Sequence, residues 1–251
     1  MNKFTAVILA AGMGSRLKHL TKDLPKPLVE VGGKSLIWYA ISWAKSLGVS
    51  KIVVVGGYKF ELLKEAVNLI DSSVVMVENE EYATTQRMVS LLKARGEVEG
   101  GLYVRDADYI FDTSLANKFK KYFDGTVIFG TGKDSVGVGL DMKVKLDDDG
   151  NLLDMSKELT DYDYFFCTQV FSEEKKVSIL LQAGEDLIKE KGDGMVHVED
   201  ALLKMVKDGE TVRFIDVGAP KWVEIDTIEE YERANELVSN KGENVAVELL
   251  Q

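Results

Sequence analysis

The feature that most constrains the fold is an apolar strand that runs straight into a glycine-rich, basic loop. Residues Phe4–Ala10 form an almost unbroken apolar run, typical of a strand buried on both faces. The loop that follows contains the sequence GMGSRLKHLTKDLPKP. Gly12 and Gly14 would let backbone N–H groups approach an anion, and Arg16 and Lys26 add positive charge. The sequence therefore predicts an anion-binding loop after a central strand.

Two common nucleotide-binding motifs do not fit this loop. A dinucleotide-binding GxGxxG motif would need a glycine at position 17, where the chain has Leu17. A P-loop that ends in GGKS would need a glycine at position 28, where the chain has Leu28. We interpret the loop as a phosphate-binding loop of another kind, and Gly32 and Gly33 as a tight turn before a helix.

The periodicity of the chain predicts an α/β fold. Apolar strands alternate with helical stripes in the first half, which predicts a Rossmann-like mixed, mostly parallel sheet with helices on both faces. In the second half, DDDGN predicts a hairpin turn, and antiparallel strands are expected to extend or cap the same sheet. No linker or repeat is apparent, so residues 1–251 are predicted to form a single domain. The predicted helices are 35–47, 60–70, 86–94, 114–122, 173–182, 198–206 and 227 to about 238.

Composition argues against several classes of function. The net charge of −11 is unfavourable for nucleic-acid binding, because proteins of that class usually present a basic face. A single cysteine, Cys167, cannot build a disulfide framework, and with two histidines it leaves too few ligands for a Cys/His zinc site. The sequence shows neither a signal peptide nor an apolar run long enough to span a membrane. A cytoplasmic protein that binds no membrane is expected.

Four motifs resemble those of the nucleoside-triphosphate:phosphosugar nucleotidyltransferases. LAAGMGSRL followed by LPKPLVEVGGKSLI resembles the family signature GxGxR…PKP, and YVRDADYIF resembles its central Asp motif. LLDMSKELTDYDYFFCTQVF resembles the segment with the phosphate-binding lysine, and KWVEIDTIEEYERA the late metal-binding Asp motif. Within this superfamily, NEEYATTQRMVSL is similar to a stretch of the choline-phosphate cytidylyltransferases. SKELTDYD looks more like the inositol-1-phosphate cytidylyltransferases.

The resemblance implies a Mg²⁺-dependent reaction between two phosphates. An acceptor phosphate oxygen would attack the α-phosphorus of a nucleoside triphosphate, and pyrophosphate would leave. Arg16 and Lys26 would be the catalytic residues, binding the triphosphate and stabilising the charge that develops on it. Asp108 and Asp226 would hold Mg²⁺, which prefers carboxylate oxygens. Lys157 would bind the phosphate of the acceptor.

The nucleotide is expected to contact the glycine-rich loop and a second stretch that reads the base. Gln86 could pair with the edge of a pyrimidine, since an amide both donates and accepts, whereas Arg87 could reach a phosphate. The choline-type enzymes carry asparagines at these two positions, so the base stays open. The candidate nucleotide-binding residues are Ala10, Ala11, Gly12, Gly14, Gln86 and Arg87.

These assignments have structural alternatives. Arg16 and Lys26 could belong to an ordinary solvated loop. Asp108, with Asp106 as a helper, follows a strand at the edge where open α/β sheets bind ligands, but acids also occur there in plain turns. Asp226 could instead cap the helix that begins at IDTIEEY. Lys157 could lie at the edge of a hairpin without binding anything.

The acceptor is the least determined part of the expected reaction. CTP and a polyol phosphate, with inositol 1-phosphate favoured, would give a CDP-polyol. The inositol-type pattern has an acidic residue where this chain has Cys167. Tyr162, Tyr164 and Phe165 could fill the core, or form a cation–π cage that would suit phosphocholine.

Other readings of the chain stay open at this point. A sugar-1-phosphate enzyme that uses UTP or dTTP is the nearest alternative, and a non-catalytic nucleotide-binding regulatory subunit is the alternative from another class. The chain is expected to act as a monomer or homodimer. Whether it is normally fused to a second enzyme is also open.

Overall fold

The computed structural model describes residues 3–132, 142–218 and 222–240. Two sequence predictions extend beyond the described residues. Residues 241–251 of the predicted single domain lie outside them, and so does Lys221, the first residue of the KWVEIDT motif. The strands are β1 (Phe4–Ala10), β2 (Glu30–Val31), β3 (Lys34–Ser35), β4 (Lys51–Gly56), β5 (Val75–Glu78), β6 (Gly101–Asp106), β7 (Tyr109–Phe111), β8 (Thr126–Gly132), β9 (Lys143–Leu146), β10 (Leu152–Ser156), β11 (Tyr164–Ser172), β12 (Val212–Asp216) and β13 (Trp222–Glu224). The helices are α1 (Leu36–Ser46), α2 (Phe60–Ile70), α3 (Arg87–Lys93), α4 (Ala116–Lys120), α5 (Glu174–Lys191), α6 (Val198–Lys207) and α7 (Ile228–Asn240).

A nine-stranded mixed sheet forms the centre of the described structure, in the order β10-β9-β11-β6-β1-β4-β5, with β8 and β12 joined through β11. Strands β6, β1, β4 and β5 are parallel. Strand β11 runs antiparallel to β6, β8 and β9. The predicted α/β class is therefore confirmed, with a parallel first half that the antiparallel strands extend. Because β1 and β6 are parallel, their carboxyl ends meet at one edge of the sheet.

The two faces of the sheet carry separate parts of the hydrophobic core. Ala6 and Ile8 of β1 pack into one cluster together with α1 and α2. Val7 and Leu9 pack into the other, with α3, α5 and α6. This alternation is expected because successive side chains of a strand point to opposite faces. Helices cover both faces, as the sequence predicts.

Most predicted elements are confirmed, and the main difference is the length of α5. The Oγ atom of Ser35 accepts a hydrogen bond from the N–H of Trp38 at 3.3 Å, so Ser35 caps α1 as expected. Helix α5 passes through Gly184 and ends at Lys191, where Gly192 caps it with a left-handed φ of 73°. A side chain at Gly184 would collide with Met88 of α3, so this glycine permits close helix packing rather than ending the helix. Among the described helices, none combines the length and the apolar character that a bilayer crossing requires.

Candidate active site

A cleft of about 720 Å³ opens at the carboxyl ends of β1 and β6. Lys26 and Asp226 both line it, although they are 200 positions apart in the chain. The cleft collects every residue for which the sequence predicts a role: Ala10, Ala11, Gly12, Gly14, Arg16, Lys26, Gln86, Arg87, Asp108, Lys157 and Asp226. The fold thus brings all of the candidate residues to one space.

The glycine-rich loop is shaped around the side chain of Lys26. Gly14 has a φ of 66°, a conformation that residues with a side chain rarely adopt. A Cβ atom at Gly14 would lie 2.5 Å from Cβ of Lys26, so only glycine leaves room for the lysine stem. Pro25 and Pro27 restrict the backbone on either side of Lys26. The glycine and the prolines together aim one buried ammonium group into the cleft.

Lys26, Asp108 and Asp226 form what we call the Lys26 cluster. The Nζ atom of Lys26 donates to Oδ2 of Asp108 at 2.5 Å and also to Oδ1 of Asp226. Burial alone would lower the pKa of Lys26, but the two carboxylates outweigh it and raise the pKa. Burial would raise the pKa of Asp108, yet the ammonium of Lys26 holds it below its usual value. Lys26 and Asp108 are therefore both charged at neutral pH.

A small two-stranded sheet assembles this cluster. Strand β13 pairs with β7 so that Glu224 lies opposite Tyr109. The N–H of Ile225 donates to the carbonyl of Asp108 at 3.0 Å. The turn after β6 is thereby fixed against the segment that carries Asp226.

Glu224 is a third acid of the site, and it has no role in the sequence prediction. Oxygen atoms of Asp108, Glu224 and Asp226 lie within 4.8 Å of one another. Burial and the charges of Asp108 and Asp226 raise the pKa of Glu224 to about 9. The sequence did contain a signal, because residues i and i+2 of an extended segment face the same side, and Glu224 precedes Asp226 by two positions.

The donor atoms of this site suit a hard divalent cation. Oδ1 of Asp108 is buried and has no hydrogen-bond partner among the described residues. A buried oxygen of this kind normally has a partner, and carboxylate oxygens are the ligands that Mg²⁺ prefers. The predicted pair, Asp108 and Asp226, could therefore hold Mg²⁺, with Glu224 as a further oxygen ligand.

Thr227, and not Asp226, is the residue that caps α7. Glu230 accepts from the N–H of Thr227 at 2.8 Å, and the N–H of Glu230 donates to Oγ1 of Thr227 at 3.2 Å. This reciprocal pair is a capping box with Thr227 as the capping residue. The carboxylate of Asp226 is instead engaged by Lys26 and by Arg16, whose Nη2 lies 2.5 Å from Oδ2 of Asp226.

Arg87, Asp106 and Glu199 form a second group, the Arg87 cluster. Nη1 of Arg87 lies 2.5 Å from Oδ2 of Asp106, and Nη2 contacts Oε1 of Glu199. Burial would lower the pKa of Arg87, but these two carboxylates raise it. Burial raises the pKa of Asp106 to about 6, although Arg87 opposes the shift. Asp106 thus bonds to Arg87 rather than to the Lys26 cluster, and a phosphate could reach Arg87 only in competition with two carboxylates.

Gln86 and Lys157 lie in different parts of the cleft wall. Gln86 immediately precedes α3, and its N–H donates to the carbonyl of Gly194 at 2.9 Å. Lys157 directly follows β10 and is exposed at the rim. The cleft therefore has a nucleotide candidate at the start of α3 and a phosphate-binding candidate next to the hairpin.

The aromatic residues considered for a cation–π cage do not line the described cleft. The ring of Tyr162 already has Nζ of Lys143 5.2 Å from its centroid. Tyr164 packs on Phe214 with ring centroids 4.5 Å apart, and Phe165 lies against Tyr162. Among the described residues these rings pack on their neighbours, and the cation–π cage stays a prediction.

Cys167 behaves as a buried apolar residue. It is fully buried, its thiol donates to the carbonyl of Phe129, and burial raises the pKa of the thiol. It also lies within a backbone irregularity of β11, because the pairing with β8 shifts between Phe166 and Gln169.

Several known proteins are similar to this chain. Choline-phosphate cytidylyltransferase of Streptococcus pneumoniae is 39% identical over 116 residues, which cover 45% of this chain and 48% of the relative. The bifunctional IPC transferase and DIPP synthase of Aquifex aeolicus is 27% identical over 236 residues, which cover 92% of this chain and 50% of the relative. The chain spans about half the length of the curated relatives it matches.

Solved structures show the same fold. The inositol-1-phosphate CTP transferase from T. maritima aligns with a TM-score of 0.80 and 22% identity, over 96% of this chain and 97% of its own. The CTP:phosphocholine cytidylyltransferase from Streptococcus pneumoniae aligns with a TM-score of 0.73 and 24% identity, over 93% and 98%. The family model of the MobA-like NTP transferase domain matches residues 6–131, half of the chain, which include the glycine-rich loop, Lys26 and Asp108. This chain belongs to the MobA-like NTP transferase family.

Proposed function

We propose that this chain is a Mg²⁺-dependent cytidylyltransferase that joins CTP to a polyol phosphate, with inositol 1-phosphate as the favoured acceptor. The observation that carries the proposal is the Lys26 cluster. It places a buried ammonium group between two carboxylates at the base of the cleft, with Arg16 on the same carboxylate. Positive groups and a divalent-cation site are what two reacting phosphates require, because their mutual repulsion has to be cancelled.

In the proposed reaction, an oxygen of the acceptor phosphate forms a bond to the α-phosphorus of CTP. The bond from that phosphorus to the bridging oxygen breaks, and pyrophosphate leaves with the electron pair. The attacking oxygen is already ionised near neutral pH, so no general base is needed. Mg²⁺, bound by Asp108 and Asp226, would neutralise charge on the phosphates.

The side chains of the protein have separate tasks in this mechanism. The N–H groups of Gly12 and Gly14 cradle the triphosphate. Lys26 stabilises charge on the α-phosphate. Arg16 has a side chain that is 64% exposed, so it can turn from Asp226 towards the leaving pyrophosphate. Lys157 binds the acceptor phosphate at the rim of the cleft.

Two observations support cytidine and a polyol. Gln86 lines the cleft with an amide that can pair with a pyrimidine edge. The IPC transferase relative matches 92% of this chain at 27% identity, and the choline-phosphate relative matches 45% at 39% identity, so the longer match supports the polyol acceptor. Tyr162, Tyr164 and Phe165 also lie outside the described lining of the cleft, which favours a polyol over phosphocholine.

The test is pyrophosphate release across a grid of substrates, with Mg²⁺ and with EDTA. CTP, UTP, dTTP, ATP and GTP are each combined with inositol 1-phosphate, phosphocholine, glycerol 3-phosphate and glucose 1-phosphate. Mg²⁺-dependent turnover with CTP and inositol 1-phosphate is expected. Turnover only with UTP or dTTP and glucose 1-phosphate would overturn the assignment of base and acceptor. A folded protein that binds CTP but is silent across the grid would be a regulatory subunit instead.

A further inference from the structure

Besides Oδ1 of Asp108, two oxygen atoms of residues that line the cleft are buried and have no hydrogen-bond partner among the described residues. They are Oε2 of Glu199 and Oγ1 of Thr168, and both residues line the cleft. Buried polar atoms in folded proteins almost always have a partner. These two oxygens therefore mark positions where polar groups of a ligand belong.

Glu199 is a buried carboxylate, and only one of its two oxygen atoms has a hydrogen-bond partner among the described residues. It lies in the first turn of α6 and is 4% exposed. Its Oε1 contacts Arg87, which also bonds to Asp106, so the orientation of the carboxylate is fixed. The remaining oxygen can only accept hydrogen bonds, and a ligand that binds it has to be a donor.

Thr168 is held in a strained backbone conformation. Its φ is 55°, in the left-handed region, where a β-branched side chain crowds the backbone. It belongs to an irregular stretch of β11, because Phe166 pairs with Gly130 while Gln169 pairs with Phe129, leaving two residues between. Strained residues of this kind concentrate at ligand-binding sites. The hydroxyl of Thr168 can both donate and accept.

The bulge lies on the part of the sheet that bounds the cleft. Val170 pairs antiparallel with Val104, and β6 ends two residues later at Asp106. Thr168 therefore lies near the carboxyl end of β6. Since β11 also pairs with β9, and β9 with β10, this wall is continuous with the strand that leads to Lys157. The position of Thr168 suits a contact to the acceptor rather than to the nucleotide.

We propose that Oε2 of Glu199 and Oγ1 of Thr168 form the subsite that binds hydroxyl groups of the acceptor. The inference rests on the proposed function and names the residues that select a polyol. Arg87 is the residue that positions Glu199. A hydroxyl group can donate a hydrogen bond to Oε2 of Glu199, whereas the quaternary ammonium of phosphocholine has no N–H to donate.

The test compares two ligands of similar shape, myo-inositol 1-phosphate and cyclohexyl phosphate, which has the ring but no ring hydroxyls. Both are titrated calorimetrically into the full chain with Mg²⁺ and a non-hydrolysable CTP analogue. Wild-type protein is expected to prefer inositol 1-phosphate by at least about tenfold. Glu199→Gln should lower the affinity for inositol 1-phosphate by about 10- to 100-fold, because hydrogen bonds to charged groups are the stronger ones. The affinity of this variant for cyclohexyl phosphate should change less than about twofold, which is the size of effect seen between sites that do not interact.

A control variant and two variants of Thr168 separate binding from folding. Glu185→Gln makes the same change in an ion pair with Arg95, outside the described cleft lining, and should leave both affinities unchanged. Thr168→Val keeps the branched shape of the side chain but removes the hydroxyl, and it should lower the affinity for inositol 1-phosphate about fivefold. Thr168→Gly removes the strain, so it should weaken binding while raising the melting temperature by about 2–4 °C.

The outcomes distinguish this inference from the proposed reaction. Inositol 1-phosphate binding that depends on Glu199 and Thr168, without any CDP product, would leave the subsite standing and overturn the cytidylyltransferase. CDP-inositol formation that is insensitive to Glu199→Gln and Thr168→Val would overturn the subsite and leave the reaction. Equal wild-type affinity for the two phosphates, or no binding of inositol 1-phosphate, would also overturn the subsite. If Glu199→Gln does not fold, Thr168→Val decides alone.

Discussion

The Lys26 cluster and the Arg87 cluster each place one cation between two carboxylates, yet they are suited to different tasks. Lys26 is a point charge on a flexible stem, whereas Arg87 has a planar fork whose two ends bond separate carboxylates. An ammonium group can move aside when another cation or a phosphate arrives. A forked guanidinium holds Asp106 and Glu199 in place.

The neighbours of the two clusters reinforce the difference. Beside the Lys26 cluster lie a third acid, Glu224, and an unpartnered oxygen of Asp108. Beside the Arg87 cluster, the unpartnered oxygen belongs to Glu199 and no third acid joins it in a metal-type group among the described residues. The comparison suggests that charge count alone does not define a reactive site. The geometry of the cation and the atoms left without partners do.

Removing a carboxylate from the Lys26 cluster should have the largest effect on activity. Asp108→Asn is expected to lower kcat by about 10³-fold or more, because it removes a cation ligand and a partner of Lys26. The measurement is the rate of CDP-product formation, with circular dichroism as the check on folding. Asp148→Asn, in the hairpin turn between β9 and β10, is the matched control and should keep full activity. Full activity of Asp108→Asn would rule out its role in the reaction.

Exchanging the two kinds of cation tests the comparison directly. Lys26→Arg is expected to lower kcat by about 10²-fold, because a planar fork does not fit the space that Gly14 leaves for the lysine stem. Arg87→Lys should instead raise KM for the acceptor by about tenfold with a smaller change in kcat, since one ammonium group cannot hold both carboxylates. Steady-state kinetics with each substrate varied separately distinguishes the two. Equal effects of both exchanges on kcat would show that the clusters do not differ in task.

The shifted pKa of Glu224 predicts that Mg²⁺ binding releases a proton. Below its pKa of about 9, the carboxyl group of Glu224 is protonated, and a bound cation favours the ionised form. The apparent affinity for Mg²⁺ should therefore rise with pH between about 7 and 9. Calorimetry in buffers of different ionisation enthalpy measures the released proton. Glu224→Gln should show no release from this group, and a wild-type protein without proton release would contradict the predicted coupling.

The smallest effect is expected outside both clusters. Thr227→Ala should lower the free energy of unfolding by about 1 kcal/mol, because it removes the cap of α7. Asp226→Asn should leave the cap unchanged and reduce turnover instead. Thermal unfolding and the CDP-product assay, run on both variants, separate the two residues. If Asp226→Asn unfolds α7 and Thr227→Ala does not, the assignment of the cap is wrong.

Much of the Lys26 side of the cleft could be predicted from the sequence, because local chemistry determines it. Glycine at position 14 and prolines beside Lys26 restrict the backbone in any context, and the apolar run before them indicates a central strand. The end of a parallel strand then directs attention to Asp108. Glu224 could also have been predicted, because it lies two positions before Asp226 in an extended segment.

The sequence by itself thus determined the α/β class and picked out Lys26, Asp108 and Asp226, which the fold brings together in the cleft. The tertiary structure decided which of them are partners. Arg87, Asp106 and Glu199 come from three distant segments, so no local pattern predicts that they bond to one another. The strain at Thr168 depends on two extra residues in a strand pairing that only the folded sheet defines. The reason is physical: backbone preferences act over a few residues, whereas ion pairing and burial act between surfaces that folding brings together.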